Sequence, residues 1–451
     1  MRLMGGRLWS AFAQALDEPA PVSIRVNPLK HGGWEDARTE AVPWCPYGLY
    51  LPKRPEFTAD PLFHAGAYYV QEASSMFLHC IMSQYVRKPV LMLDLCAAPG
   101  GKSTLARAAL PEGSLLVCND TAPARAATLS ENMQKWGHPG IIVTNNRPAD
   151  FSRAGMVFDV ILADMPCSGE GMFRKESEAV EEWSERNVEK CRNTQRAILR
   201  DIWPCLRPGG LFIYSTCTYN EKENEENVMY AAQELGAAIL PVETGKAWGI
   251  TGSLCTRLDA PVYRFIPGMT RGEGLFMALL RKHGDTPPVC LAAPRGHSRH
   301  TPVDGTRHEE TAREWIADDD GAFTIQTQGG TVTAMPRPWG SVLDTARSSL
   351  RVIHAGITVG TVKGRSMAPA HSLAMSACIN AKAFTAAEIG HAQALDFLCR
   401  KPVPLPAGTP EGYVLMTYKG HALGFEKNLR DRANNLYPAA WRIRNDKYLK
   451  A

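Results

Sequence analysis

The chain has 451 residues, of which 45% are apolar and 21% charged, with a net charge of +4, as in a soluble globular protein of two to four domains. It contains no run of about 18 apolar residues, which argues against a membrane-spanning helix, and we expect its first residues to form a helix rather than a secretion signal. The twelve cysteines include no C-x-x-C pair, which argues against a zinc ribbon or a disulfide framework and indicates a reducing, cytoplasmic location.

Apolar strand patterns alternate with helical ones from about residue 90 to residue 283. The predicted strands, in chain order, are "PVLMLDL", "SLLVCND", "GIIVTNN", "FDVILAD", "LFIYSTC" and "EGLFMALLRK". The clearest helical segments between them are "KSTLARAAL", "APARAATLSENMQKWG" and "EEWSERNVEKCRNTQRAILRDIWPCL". This alternation predicts an α/β fold with a doubly wound, Rossmann-like parallel sheet.

The turn after the first of these strands, "DLCAAPGGKST" (94–104), indicates a binding site. Gly101, Lys102 and Ser103 match the end of the P-loop pattern G-x-x-x-x-G-K-S/T, whereas Cys96 occupies its first glycine position and Pro99 interrupts the loop. The dinucleotide pattern G-x-G-x-x-G is absent. A P-loop-like NTPase therefore remains an alternative to a nucleoside-containing cofactor at this turn.

The cofactor hypothesis assigns the backbone of the turn and one acid to the ligand. The backbone consists of Cys96, Ala97, Ala98, Pro99, Gly100, Gly101 and Lys102. Asp120 ends the second strand, 26 residues after Asp94, where an acid that holds ribose hydroxyls belongs. Asp120 alone would equally suit a helix-capping role. The turn and the acid together favour a cofactor.

Two cysteines follow two strands of the predicted sheet. Asp164 and Cys167 come after the fourth strand, and Cys217 comes after the next, in "YSTCTYN". Ligands of an open α/β sheet bind outside the carboxyl ends of its strands, so we expect both thiols to face one crevice. A free cysteine is usually a small buried apolar residue, but two in polar loops beside a cofactor turn indicate nucleophilic chemistry.

At this point the sequence resembles the Sun/Nop family of RNA (cytosine-5) methyltransferases, and most closely its bacterial RsmF type, which modifies small-subunit ribosomal RNA. The motifs that carry the resemblance are "RVNPLK" (25–30), "AGAYYVQEASSM" (65–76), "DLCAAPGGKST" (94–104), "DMPCSGEGMFRK" (164–175), "LRPGGLFIYSTCTYNEKENEENV" (206–228) and "GEGLFMALLRK" (272–282). The segment "GFEKNLRDRANNLYP" near the end resembles the RNA-binding C-terminal part of the RsmF type.

The resemblance implies a mechanism with two cysteines and S-adenosylmethionine as the methyl donor. Cys217 would be the nucleophile that adds to carbon 6 of cytosine, and Cys167 would assist release of the methylated product. Asp164 would bond the cytosine edge and lie close to the methyl donor. Many relatives carry an Asp that contacts the adenine after the third strand, where this chain has Asn145 and Asn146; Asn145 is our candidate.

RNA, as ribosomal RNA or a ribosomal subunit, is the expected partner, with no membrane, no metal and a monomeric enzyme. Arg25, Lys30, Arg174 and Lys175 are candidates for contacts with the RNA backbone. Residues 401–451 hold nine Lys and Arg against four Asp and Glu, which suggests a further nucleic-acid contact, although a solvated basic surface would have the same composition.

These observations divide the chain into five parts. They are an N-terminal RNA-binding lobe (1–85), a Rossmann-like methyltransferase domain (86–283), a linker (284–305), an RsmF-type α+β domain (306–395) and a small basic, β-rich, PUA-like RNA-binding domain (396–451). Two alternatives to an RNA cytosine-5 methyltransferase are kept: the P-loop-like NTPase and a non-catalytic RNA-binding assembly factor.

Overall fold

The computed structural model describes residues 4–30, 38–285, 305–318 and 321–444. The first part is built on a small antiparallel sheet. Its elements are α1 (Gly5–Leu16), β1 (Val22–Val26), β2 (Glu40–Ala41), β3 (Gly48–Leu51), α2 (Pro61–His64), β4 (Tyr68–Val70) and α3 (Leu78–Tyr85). The strands lie in the order β2-β3-β1-β4.

Strands and helices alternate through the second part. Its elements are β5 (Leu91–Asp94), α4 (Gly101–Ala109), β6 (Leu115–Asn119), α5 (Pro123–Trp136), β7 (Ile141–Thr144), α6 (Pro148–Arg153), β8 (Phe158–Asp164), α7 (Ser177–Glu182), α8 (Glu185–Ile202), β9 (Leu206–Thr216), α9 (Glu225–Glu234), β10 (Ala237–Leu240), β11 (Tyr263–Phe265) and β12 (Leu275–Lys282).

The last part contains two further four-stranded sheets. Its elements are α10 (Gly305–Trp315), β13 (Phe323–Gln328), β14 (Thr331–Pro336), α11 (Gly340–Ser349), β15 (Val352–Ala355), β16 (Ile357–Lys363), β17 (Ser366–Pro369), α12 (His371–Met375), β18 (Thr385–Glu388), α13 (His391–Leu398), β19 (Gly412–Tyr418), β20 (His421–Asn428) and β21 (Ala433–Asn435). The two sheets have the orders β13-β14-β16-β17 and β18-β19-β20-β21.

The central sheet has the strand order β10-β12-β9-β8-β5-β6-β7-β15, with β11 paired to β12. Strands β5 to β9 are parallel to one another, and β12 runs antiparallel between β9 and β10. Every residue of β6 and β7 is buried, as expected for apolar strands covered on both faces. The predicted doubly wound, Rossmann-like sheet is confirmed.

Helices cover the two faces of this sheet and bury two clusters of apolar side chains. Leu105 of α4 and Leu129 of α5 belong to one cluster, and Phe151 of α6, Leu199 of α8 and Val228 of α9 belong to the other. The chain proceeds from β5 toward β6 and β7 on one side and returns to β8 and β9 on the other. The carboxyl ends of β5 and β8 therefore form the crevice in which such sheets bind ligands. Across the described ranges, no helix is both long and apolar enough to cross a membrane.

Two features differ from the predicted domain limits. Strand β15 pairs antiparallel with β7 and extends the central sheet, so part of the predicted 306–395 domain belongs to the methyltransferase core. Strand β18 pairs in parallel with β19, so the last sheet begins at Thr385, before the predicted boundary at 396. Both pairings join residues far apart in sequence, which a local pattern does not reveal. The predicted linker 284–305 lies outside the described residues except at its ends.

Arg25 on β1 connects the first sheet to the central domain through buried side-chain contacts. Its side chain is fully buried; its Nε donates to Gln71 Oε1 at 2.7 Å and its Nη2 to Thr104 Oγ1 at 2.5 Å. The guanidinium carbon lies 4.3 Å from the ring centroid of Trp136. Burial lowers the pKa of Arg25 to about 10. The predicted RNA contact of Arg25 is therefore not supported, because the side chain is enclosed by protein.

We expect Arg25→Ala to reduce the free energy of unfolding by about 3 kcal/mol, because it leaves Gln71 and Thr104 without their partner and opens a cavity beside Trp136. The measurement is the urea midpoint followed by tryptophan fluorescence. Lys53→Ala, at an exposed position, is the control and should change stability by less than about 0.5 kcal/mol. Equal midpoints for the two variants would contradict this role of Arg25.

Candidate active site

The turn from Cys96 to Lys102 connects β5 to the first turn of α4. Gly100 has φ +115°, a left-handed conformation that favours glycine. The carbonyl oxygens of Ala98 and Pro99 accept hydrogen bonds from Arg125 Nη2 and Asn132 Nδ2, both at 2.8 Å. Side chains of α5 therefore hold the backbone of the turn in place. The N-terminus of α4 lies at the carboxyl end of β5.

Lys102 and Asp164 form an ion pair at the mouth of the crevice. Lys102 Nζ lies 2.9 Å from Asp164 Oδ2, and Ser215 Oγ donates to Asp164 Oδ1 at 2.8 Å. Burial alone would lower the pKa of Lys102, but the charge and hydrogen bond of Asp164, assisted by Cys217 and Asp94, raise that pKa overall. Asp164 thus links the start of α4 to the end of β9, and Lys102 remains a cation.

Asp94, the last residue of β5, was not among the predicted site residues. Its side chain is fully buried, and its Oδ2 accepts a hydrogen bond from Ser103 Oγ at 2.6 Å. Within the described chain, its Oδ1 has no hydrogen-bond partner. Burial raises the pKa of Asp94 to about 7. The sequence signal that could have found Asp94 is its position at the start of the Gly-rich motif. The structure shows in addition that one of its carboxylate oxygens is free to accept a hydrogen bond.

Asp120 lies just beyond the end of β6 and is buried. Its Oδ1 accepts from the backbone N–H of Ala122 at 2.9 Å, and its Oδ2 lies 3.3 Å from Arg125 Nη2. The local bond to Ala122 is that of a turn leading into α5. Asp120 does not cap α5, because the N-cap residue is Ala122 and no side chain caps that helix; a role of Asp120 toward ribose hydroxyls stays a prediction.

The two asparagines after β7 are held by Arg351, which immediately precedes β15. Asn145 Nδ2 donates to the carbonyl oxygen of Asp120 at 2.8 Å, and Arg351 Nη1 donates to Asn145 Oδ1 at 3.1 Å. Asn146 Oδ1 accepts from the backbone N–H of Arg351 at 3.1 Å. Beside them lies a cavity of about 340 Å³ lined by Thr121, Asn145, Asn146, Arg147, Asp150 and Arg153. Residues distant in sequence thus form one wall at the end of β7.

The structure brings the two predicted cysteines into contact. Cys167 Sγ and Cys217 Sγ are 3.3 Å apart and partly buried. The hydrogen bond from the Cys167 thiol is the largest influence that lowers the pKa of Cys217; burial and the charge of Asp164 oppose it, and Lys102 assists. That hydrogen bond, followed by burial, raises the pKa of Cys167 well above its ordinary value. Cys217 is therefore the thiol that ionises first, which suits a nucleophile.

Cys96 differs from this pair. Burial raises the pKa of its thiol, and the nearby carboxylate of Asp94 raises it further. Cys96 therefore stays protonated at neutral pH, and only its backbone is suited to a ligand.

Buried polar side chains brace the loop that carries Cys217. The carboxylate of Glu170 accepts hydrogen bonds from the backbone N–H groups of Tyr219 at 2.7 Å and Asn220 at 3.0 Å. Arg264 and Glu225 form a fully buried ion pair at 2.6 Å, and Arg264 Nη1 donates to the carbonyl oxygen of Tyr219. The sequence interpretation missed all three braces, since nothing local distinguishes them from other charged residues.

Gly171 lets the two cysteine loops approach each other. Its backbone N–H donates to the carbonyl oxygen of Cys217 at 2.7 Å. A Cβ at this position would lie 2.6 Å from the same oxygen, so a larger residue would separate the loops.

Three family models match the chain. They are 16S rRNA methyltransferase RsmB/F at residues 86–281, the N-terminal domain of 16S rRNA methyltransferase RsmF at 1–73, and the methyltransferase RsmF PUA domain at 384–443. The chain belongs to the RsmB/F methyltransferase family. The resemblance noted from the motifs is thereby confirmed, as are a PUA-like domain near the C-terminus and S-adenosylmethionine as the cofactor.

Curated relatives of this RsmB/F family member extend over nearly its whole length. "Ribosomal RNA small subunit methyltransferase F" of Aeromonas hydrophila is 29% identical over 450 residues, covering 95% of this chain and 92% of the relative. The protein of the same name from Serratia proteamaculans is 32% identical over 318 residues, covering 67% of this chain and 66% of the relative.

Solved structures share the fold of this RsmB/F family member. A methyltransferase homolog protein from Pyrococcus horikoshii has a TM-score of 0.53 at 25% identity and covers 62% of this chain and 92% of its own. NSun6 from the same organism, solved with SFG, has a TM-score of 0.53 at 21% identity and covers 63% and 96%.

The remaining predicted RNA contacts of this RsmB/F family member are mostly internal. Lys30 Nζ donates to the carbonyl oxygens of Ala65 and Lys135, and burial lowers the pKa of Lys30 to about 7. Arg174 is bound to Glu273 at 3.0 Å with 6% of its side chain exposed, whereas Lys175, 3.5 Å from Glu273, has 36% exposed. Lys30 and Arg174 thus form hydrogen bonds and ion pairs with other residues of this chain. Among the four candidates, Lys175 has an exposed side chain.

We expect Cys167→Ala to raise the pKa of Cys217, because the substitution removes the thiol that donates to the Cys217 thiolate. At pH 7 the thiolate fraction falls, so alkylation of Cys217 should slow several-fold and its pH midpoint should move upward. The measurement is the rate of iodoacetamide labelling of the Cys217 peptide by mass spectrometry between pH 6 and 10. Cys191→Ala, on α8, should leave the midpoint unchanged; an unchanged midpoint in Cys167→Ala would exclude the proposed hydrogen bond.

Proposed function

We propose that this protein methylates carbon 5 of a cytosine in small-subunit ribosomal RNA, with Cys217 as the nucleophile. The observation that carries the proposal is the 3.3 Å contact between the sulfur atoms of Cys217 and Cys167 beside the cofactor turn. An amino-group methyltransferase would use the same turn but needs no thiol. The printed names of the relatives and the match to the RsmF PUA domain support ribosomal RNA as the substrate class.

The residues at the carboxyl ends of β5, β6 and β7 suit S-adenosylmethionine. In this turn Gly100 adopts a left-handed conformation, and Ala97 and Ala98 carry small, buried side chains. The unpartnered Oδ1 of Asp94 is an acceptor suited to an ammonium group. We assign Cys96 through Lys102 and Asp164 to the methionine part, Asp120 to the ribose, and Asn145 with its neighbouring cavity to the adenine.

Addition of the Cys217 thiolate activates the cytosine. Carbon 5 of cytosine is a poor nucleophile, and formation of the bond between Cys217 Sγ and carbon 6 makes carbon 5 electron-rich. Asp164, fixed by Lys102 and Ser215, would hold the cytosine edge. The cytosine ring nitrogen would take a proton from water as the sulfur adds and return it to water when Cys217 leaves. S-adenosylmethionine, when bound, supplies the methyl group that carbon 5 takes up.

Release requires two events. Carbon 5 loses its proton to a water molecule, which we propose as the base, and Cys217 leaves as a thiolate. The electron pair of the carbon–hydrogen bond restores the ring double bond as the carbon–sulfur bond breaks. Cys167 retains its proton because its pKa is raised, so it would donate a hydrogen bond to the departing sulfur. A more stable thiolate is a better leaving group.

RNA binding is assigned to three regions. Lys175 lies beside Arg174 and has the exposure that a phosphate contact needs. The N-terminal lobe (1–85) and the basic PUA-like part, predicted at 396–451, would contact RNA away from the target base. We propose that the protein acts as a cytoplasmic monomer on ribosomal RNA or a ribosomal subunit.

The alternatives find no support at this site. In a P-loop the Lys and the Ser/Thr face phosphate and magnesium, whereas here Lys102 is bound to Asp164 and Ser103 to Asp94. A non-catalytic RNA-binding factor would not need two thiols in contact at strand ends.

We expect Cys217→Ala to lower cytosine methylation on the order of 1,000-fold or more and to abolish covalent capture of RNA. Cys167→Ala should instead accumulate a covalent protein–RNA adduct on denaturing gels, because release is impaired. The assays are methyl incorporation into small-subunit RNA and bisulfite sequencing of ribosomal RNA from cells that express each variant. Cys191→Ala is the matched control and should behave as wild type. Methylation by Cys217→Ala would exclude the assigned nucleophile.

We expect Arg351→Ala to weaken binding of S-adenosylhomocysteine by about 3- to 10-fold, because Asn145 loses the hydrogen bond that orients its side chain. Isothermal titration calorimetry measures the affinity directly. Arg365→Ala, at an exposed position in the same part of the chain, should leave affinity unchanged. Identical affinities for both variants would place the adenine elsewhere.

A further inference from the structure

Glu223 lies six residues after Cys217 but reaches the loop of the other cysteine. Its side chain is fully buried, and it precedes α9. Its Oε2 accepts the backbone N–H of Ser168 at 3.1 Å, and its Oε1 accepts the hydroxyl of the same residue. Ser168 is the immediate neighbour of Cys167. One carboxylate therefore joins the segment after Cys217 to the residue that follows Cys167.

Two further donors complete the surroundings of the Glu223 carboxylate. Gln195 Nε2 from α8 and Asn220 Nδ2 from the Cys217 loop each donate to it at 2.8 Å. No Lys, Arg or His lies within ion-pair distance of Glu223 anywhere in the described chain. A buried carboxylate held only by neutral donors is costly for stability alone. This arrangement suggests that the site needs the position and charge of Glu223.

We infer that Glu223 is a positioning residue that fixes the Cys167 loop against the Cys217 loop and so assigns the two thiols their different roles. The inference rests on the proposed function and deepens it. Two of the four hydrogen bonds to the carboxylate come from Ser168 and therefore join the two loops, next to the sulfur contact of 3.3 Å. The residue acts through Ser168 and Asn220 and does not touch the cytosine.

The charge of Glu223 also helps to distinguish the two thiols. It opposes ionisation of Cys167, after the larger effects of the bond to Cys217, burial and the charge of Cys217. Cys167 thus keeps its proton and can donate a hydrogen bond to the sulfur of Cys217. During release, this S–H···S⁻ contact forms as the bond between Cys217 and carbon 6 breaks, and no net proton is consumed by the pair.

Glu223→Gln tests the inference with a side chain of nearly the same shape. The amide has one acceptor oxygen in place of two and faces the same four donors, so at least one of them loses its partner. Glu226→Gln is the matched control, because Glu226 forms surface ion pairs with Arg192 and Arg257. Ser168→Ala removes the hydroxyl from the opposite loop and provides a second test if Glu223→Gln folds poorly.

The first readout needs no RNA. In Glu223→Gln the iodoacetamide labelling ratio of Cys217 to Cys167 at pH 8 should fall about 3- to 10-fold. Ser168→Ala should shift the ratio in the same direction by less, and Glu226→Gln should not change it. A wild-type ratio in both Glu223→Gln and Ser168→Ala overturns the inference whether or not the protein methylates cytosine.

The second readout measures release on small-subunit RNA. Glu223→Gln should lower kcat by about 10- to 100-fold with KM for RNA and affinity for S-adenosylhomocysteine within about 3-fold, and should accumulate covalent adduct. Equal loss of adduct and turnover, with unchanged labelling ratio, would identify Glu223 as a structural brace only and overturn the inference. Absence of 5-methylcytosine in wild-type reactions would instead contradict the proposed function, while the labelling ratio still decides the role of Glu223.

Discussion

The parallel pairing of β5, β8 and β9 is the constraint on which the site depends. In the register of these ladders Asp94 stands beside Leu162, and Asp164 stands beside Ser215. The three strands therefore end at nearly one level, and the residues that follow each strand meet in one crevice. The Gly-rich turn, the Asp164 loop and the Cys217 loop would be unrelated segments without that alignment.

The crevice concentrates acidic groups around one lysine. Burial raises the pKa of Asp94, the charge of Asp164 adds to that effect, and Lys102 is paired with Asp164. Excess negative charge disfavours a thiolate, and Asp164 indeed opposes ionisation of Cys217. The hydrogen bond from Cys167 compensates for this effect. The second cysteine thus lowers the pKa of the first, in the direction opposite to the effect of Asp164.

The sequence placed the candidate site residues close together because each of them stands at or after the end of a strand with a strong apolar pattern. Cys167, Cys217, Lys102 and Asp164 were all placed by strand ends and local motifs. Arg25 and Lys30 were misread because a charged residue on a short strand gives no sign that it will be enclosed by another domain. Burial of such a cation depends on partners distant in sequence, such as Thr104 for Arg25.

Strand pairing between segments far apart in the sequence explains the other features that local sequence patterns did not predict. Strand β15 joins β7 across about 200 residues, and Arg351 reaches Asn145 only because of that pairing. The C-terminal part of the chain therefore extends the edge of the central sheet and holds the side chain of Asn145, the residue that we propose for the adenine. If the sheet edge and the cofactor wall share Arg351, then cofactor binding and docking of the C-terminal part stabilise each other, since each orders the side chains that the other contacts.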